Sequence, residues 1–234
     1  MAKVLAVGGP KGGVGKTTVA INIATYASRL AGLRVYLADA DPNRSSQDAA
    51  LAAGDGMPFD VGAGLDHDRL VEFHRSTRYD LVVVDLPGAR ESGALEALLK
   101  GHERKASVDG LIMPTRPKLM DIRPLRRVLQ DEVAPIGVPT LVVLVRVDYR
   151  QTAQADERRR QIEGWGYKVA TNFTRALDAH DDALERHKAL MDMPLGGRRS
   201  SVRAAEREYR VMSAECLEFV GISAAKLRQE PEDE

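Results

Sequence analysis

The residues best suited to chemistry lie near the start of the chain, in Lys11-Gly12-Gly13-Val14-Gly15-Lys16-Thr17-Thr18. An apolar run, Val4-Leu5-Ala6-Val7, precedes them and a helical pattern beginning Val19-Ala20-Ile21 follows. Strand, glycine-rich turn, Lys-Thr and helix in that order make a phosphate cradle. Glycines let successive backbone N–H groups converge on an anion, and the helix N-terminus adds the positive end of its dipole. In such a cradle Lys16 reaches the β- and γ-phosphates of a nucleoside triphosphate, and the Thr17 hydroxyl coordinates Mg²⁺. Gly12, Gly13, Val14, Gly15 and Thr18 complete the nucleotide-binding set. Lys11 is a second lysine, which an ordinary phosphate loop does not need. An ammonium there suits the charge that develops in phosphoryl transfer, as an arginine finger does. Its alternatives are service to its own subunit's phosphates and solvation of the loop.

Two further acidic positions belong with the loop. Asp85 closes the apolar run Leu81-Val82-Val83-Val84 and is the carboxylate expected in a Mg²⁺ shell; otherwise it is a turn residue. Val35-Tyr36-Leu37-Ala38 runs into Asp39-Ala40-Asp41-Pro42. Asp39 suits the Mg²⁺ shell or Lys16, and Asp41 suits orientation of an attacking water. The alternative for both is a turn cap.

These residues need a scaffold that brings strand ends together. Strands are expected at Val4–Gly8, Val35–Ala38, Leu81–Asp85, Gly110–Pro114, Thr140–Val145 and Lys168–Thr171, with a weaker one at Pro58–Val61. Helices are expected at Lys16–Leu30, Asp66–Ser76, Ser92–Leu99, Leu119–Glu132, Thr152–Gly164, Asp178–Lys188 and Ser201–Phe219. Several strands are almost continuously apolar, the mark of a sheet covered on both faces. Alternating strand and helix predicts an α/β fold: a doubly wound, mostly parallel sheet with helices on both faces, binding nucleotide at the C-terminal strand ends. Residues 1–228 read as one domain and 229–234, acidic and proline-broken, as a disordered tail.

Composition narrows the functions. Of 234 residues 44% are hydrophobic, enough for a core, and 34 basic residues balance 34 acidic ones, so nucleic-acid binding requires a local patch. One cysteine, Cys216, excludes an internal disulfide framework and a CxxC site. With no signal-peptide pattern and no apolar run of membrane-spanning length, the expectation is a cytoplasmic protein without a membrane partner.

Taken together, Lys-Gly-Gly-Val-Gly-Lys-Thr-Thr, Asp-x-Asp-Pro and apolar-Asp-Leu-Pro-Gly resemble the ParA/MinD family of P-loop ATPases with the deviant Walker A motif, over about residues 3–194. The resemblance implies an ATP- and Mg²⁺-dependent homodimer enclosing two nucleotides. In it Lys11 matches the lysine that crosses to the partner's nucleotide, Asp41 the hydrolysis-linked aspartate and Asp85 the Walker B aspartate. Pro10 departs from the strict loop pattern, which has glycine there, and removes a backbone donor.

Too few cysteines exclude the iron–sulfur branches, and the acidic tail is unlike the basic membrane helix of MinD-like proteins. The chain is similar to the short, type Ib, ParF-like partition proteins of plasmids and phages. That implies DNA segregation: a nucleoid-associated ATPase, non-specific double-stranded DNA as track, and a ParB-like centromere-binding partner that stimulates hydrolysis. It also makes Arg146 the candidate neighbour of the adenine. Alternatives are a ParA-like positioning ATPase for a protein cargo, and a small-molecule P-loop ligase or metallochaperone. Candidate DNA contacts are Arg198, Arg199, Arg203, Arg207 and Arg210, of which 199, 203, 207 and 210 form one helical stripe. Clusters at 116–127 and 158–160 compete with it, and a merely solvated helix face is the alternative for each.

Overall fold

Seven strands form one parallel sheet in the order β3-β2-β4-β1-β5-β6-β7. They are β1 Lys3–Gly9, β2 Val35–Asp39, β3 Asp60–Ala63, β4 Leu81–Gly88, β5 Gly110–Thr115, β6 Thr140–Leu144 and β7 Lys168–Val169. Among the described residues the helices used below are α1 Lys16–Arg29, α2 Leu119–Val128, α3 Thr152–Glu163, α4 Ala179–Glu185 and α5 Ser201–Phe219. This computed structural model describes residues 1–40, 57–63, 72–75, 77–88, 107–186, 188–194, 196 and 200–224. The expected helix Ser92–Leu99, most of Asp66–Ser76 and the acidic tail lie outside the described residues.

The apolar runs bury alternate residues on opposite faces. Leu5, Val7, Leu37, Val83, Ile112 and Val143 pack beneath α1, α4 and α5. Val4, Ala6, Val82, Val84, Leu111, Met113 and Val142 pack beneath α2 and α3. A strand covered on both sides has no polar face, which is why these segments read as unbroken apolar sequence. No helix among the described residues is long and apolar enough to cross a membrane.

Several boundaries differ from expectation, and three of the differences are informative. β4 runs past Asp85 to Gly88, because β1 continues beside it to the Gly9–Gly88 pair after a register shift. β2 pairs with β4 only as far as Asp85, so Pro87 falls where that side of the strand carries no ladder bond. β7 is only two residues long, because the Glu215 carboxylate on α5 accepts from the N–H groups of Thr171 and Asn172 at 2.6 and 3.2 Å. The helix expected through Glu132 ends at Val128 and becomes a π-helical turn over Leu129–Val133.

α5 has the bounds its sequence predicts and is capped by Ser200, whose Oγ accepts from the Val202 N–H at 3.2 Å. Its C-terminal end packs closely on the start of β5. A Cβ added at Gly110 would stand 2.8 Å from Val220 Cγ1 and 3.1 Å from Phe219 Cε1. Val220 is buried and branched and has little room to yield. Gly110→Ala is therefore expected to cost about 1–3 kcal/mol by overpacking. Thermal unfolding should show this as a drop of roughly 2–10 °C.

Candidate functional site

At the C-terminal edge of the sheet, β1 ends in the glycine-rich loop and α1 begins. Gly13 and Gly15 adopt φ of 72° and 97°, left-handed conformations that side-chain-bearing residues avoid. Side chains added at Gly12, Gly13 or Gly15 would meet nothing within 4 Å, so the loop presents bare backbone to an open side. α1 has no side-chain cap and no acidic residue in its first turn. Its leading N–H groups and dipole are thus available to an anion, while Val19 N–H closes the first turn on the Gly15 carbonyl at 2.9 Å.

Lys16 is buried, with Nζ donating to the Lys11 carbonyl at 3.3 Å. A Cβ on Gly88 would lie 3.4 Å from that Nζ and 3.5 Å from the Gly12 nitrogen, so the end of β4 abuts the loop. Asp39 and Asp85 are register partners on β2 and β4, each 2% exposed or less. Asp39 follows Leu37 by two residues and Asp85 follows Val83, so both turn to the sheet face that α1 covers. Two carboxylates on one buried face call for a cation. Among the described residues no group of three or more His, Cys, Asp or Glu side chains could hold a metal by itself. A hard cation bound through one or two carboxylates, a hydroxyl and substrate phosphates, as Mg²⁺ usually is, suits this donor set of Thr17, Asp85 and Asp39.

Lys11 has a partner that sequence reasoning missed. Its Nζ donates to Asp121 Oδ1 at 2.6 Å, and Arg116 donates to Asp121 through Nε at 2.8 Å and Nη2 at 3.3 Å. Burial acts to raise the Asp121 carboxyl pKa, but Arg116 and Lys11 outweigh it and hold it below the ordinary range. β5 lies beside β1, so the segment following β5 must border the phosphate loop. No local sequence signal marks that adjacency, which comes from the strand order.

Arg146 follows β6 at the same edge with φ 53°, the one left-handed non-glycine among the described residues. Its N–H donates to Thr174 Oγ1 at 3.4 Å, and its guanidinium pairs with Asp181 at 3.2 Å. Asp41, Arg198 and Arg199 lie outside the described residues.

The arginine stripe requires a correction. Arg207 is exposed and Arg203 half-buried, but Arg210 is 5% exposed, with Nε 3.7 Å from Glu206 Oε1. Glu206 is itself buried beside α1, where Tyr26 donates its hydroxyl to the Glu206 carbonyl at 2.9 Å. Burial pushes the Glu206 carboxyl pKa up although Arg210 opposes it. The stripe follows the boundary of the buried face of α5 and passes under α1; Leu217, two turns beyond Arg210, is fully buried. Arg210 therefore does not project with Arg207. In the rival clusters, Arg126 stacks 5.4 Å from the Trp165 ring centroid, and Arg159 donates to the Thr171 carbonyl at 2.7 Å.

A model of the CobQ/CobB/MinD/ParA nucleotide-binding domain matches residues 5–190. The chain is 36% identical over 214 residues to the maintenance of carboxysome distribution protein A of Gloeobacter kilaueensis, covering 91% of this chain and 93% of that protein. Among solved structures, the MinD cell division protein of Aquifex aeolicus is similar at TM-score 0.72 and 18% identity, covering 100% of both chains. The pNOB8 ParA bound to nonspecific DNA is similar at TM-score 0.62 and 16% identity, covering 99% of this chain and 100% of that one.

Proposed function

The chain belongs to the CobQ/CobB/MinD/ParA family of nucleotide-binding domains and is an ATPase of its ParA/MinD group, and from this we propose that it positions a cargo by an ATP-timed cycle of dimerisation and DNA binding. The observation that carries the reading is the bare, left-handed glycine loop with two lysines, Lys16 buried within it and Lys11 reaching away from it.

In this reading the loop amides and Lys16 bind the β- and γ-phosphates, while Thr17, Asp85 and Asp39 hold Mg²⁺. The metal would neutralise phosphate charge and fix the reactive geometry. Asp41 orients the attacking water. Arg146, on the rim after β6, borders the base, with Asp181 fixing its guanidinium. Lys11 crosses to the nucleotide of a second copy, so hydrolysis waits for dimerisation. The dimer binds double-stranded DNA non-specifically through the arginines leading into and along α5, without Arg210. A cargo-bound partner then triggers hydrolysis and release. This cycle belongs in the cytoplasm, on the nucleoid.

The likeness to a carboxysome-distribution protein over nearly the whole chain supports a protein cargo. The second reading is DNA segregation with a ParB-like centromere-binding partner, which the sequence motifs favour through their similarity to short partition proteins. Both readings require ATP-dependent DNA binding and differ in the partner.

The test is a DNA titration with ATP, with ADP and without nucleotide, repeated at higher salt. ATP should tighten binding well beyond ADP, and affinity should fall steeply with salt. Arg207→Ala should weaken binding and reduce the salt slope by about one per subunit, whereas Arg210→Ala should leave the slope unchanged. Equal affinity with ATP and ADP would refute the cycle.

A further inference from the structure

The position of Lys11 has a consequence for how the dimer forms. One ammonium cannot rest 2.6 Å from Asp121 of its own subunit and at the same time reach another subunit's nucleotide. We propose that Asp121, backed by Arg116, is a positioning residue that docks Lys11 within the free subunit, and that dimerisation must break this ion pair. The inference rests on the reading that Lys11 acts across the interface.

Three observations fit a latch rather than a permanent structural pair. The Lys11 side chain is 41% exposed while that of Asp121 is 1% exposed, so one partner is free to swing and the other is fixed. Asp121 sits in the first turn of α2, anchored by the buried Ile122 and Leu125. Arg116 contacts both oxygens of the carboxylate. A buried carboxylate that loses its sole cation is strongly destabilising, but here Arg116 stays behind when Lys11 leaves. The second cation keeps the latch weak enough to open. Leu119 and Met120, on the same first turn, are among the few large apolar side chains exposed among the described residues. They lie beside the latch, where a second copy would cover them.

Two substitutions should therefore act in opposite directions. Asp121→Asn removes the dock, and dimerisation with a slowly hydrolysed ATP analogue should tighten. An ion pair with one exposed partner is worth about fivefold. Each dimer opens two latches, so the dimer constant should improve about 25-fold if the two act independently. Arg116→Gln leaves Asp121 dependent on Lys11 alone, so the latch should hold harder and the dimer constant should worsen. A merely structural role predicts that both changes lower thermal stability and shift dimerisation the same way.

Sedimentation of wild type, Asp121→Asn, Arg116→Gln, Lys11→Ala and the Lys11→Ala/Asp121→Asn double variant decides the matter. Opposite shifts from the two single variants, with no effect of Asp121→Asn once Lys11 is alanine, support the latch. Failure of Lys11→Ala to dimerise, together with an unchanged or weakened dimer in Asp121→Asn, overturns the latch alone. Wild-type dimerisation by Lys11→Ala overturns the trans role of Lys11 and the latch with it.

Discussion

Lys16→Ala is expected to lower ATP hydrolysis by at least about a hundredfold, the loss typical of removing one charge-stabilising donor from a preorganised site. Lys16 sits at the centre of the cradle. It is 7% exposed, with its ammonium between the Lys11 carbonyl and the end of β4. Burial strengthens its attraction to phosphate because little water screens it. Nucleotide affinity should fall together with turnover, since the same ammonium meets the phosphates before and during reaction. Calorimetric titration with ATP and steady-state phosphate release check the two effects separately. Retention of both within about threefold, a change of well under 1 kcal/mol, would mean that another group carries the phosphates.

Lys11→Ala should behave differently, and the contrast is diagnostic. Lys11 rests on Asp121 and not on the Lys16 site, so the affinity of the free subunit for ATP should stay close to that of wild type. Partner-stimulated hydrolysis should fall by about a thousandfold or more, as when a cationic finger supplied from another subunit is removed. Single-turnover hydrolysis with and without stimulating partner, alongside ATP titration, separates the cases. Weakened ATP binding with proportionately reduced turnover would assign Lys11 to its own subunit's phosphates. Thermal stability is a useful control here, because Arg116 still satisfies the buried Asp121 carboxylate after Lys11 is removed.

Much of the fold was legible because its signals are local or periodic. Unbroken apolar strands declare a sheet buried on both faces, and the helix expected over Ser201–Phe219 has those bounds in α5. The phosphate loop was legible for a similar reason: glycines at 13 and 15 and the Lys-Thr pair announce a backbone conformation and a chemistry within eight residues. What stayed hidden depends on distant packing. Lys11 and Asp121 are 110 residues apart, and their meeting follows from β5 lying beside β1. The burial of Arg210 depends on which helix covers the edge of α5, so its spacing with Arg207 suggested a stripe that α1 interrupts. Likewise β4 continues through Pro87 only because β1 pairs beside it to Gly88.

ATP is expected to make one subunit's Lys11 part of another's site, and the mass of the protein in solution tests this most directly. Light scattering on the eluting peak should give a monomer without nucleotide and with ADP, and twice the chain mass with a slowly hydrolysed ATP analogue. Lys11→Ala should remain monomeric in all three. A wild-type chain that stays monomeric with the ATP analogue, or is equally dimeric with ADP, would contradict an ATP-timed dimer completed by Lys11.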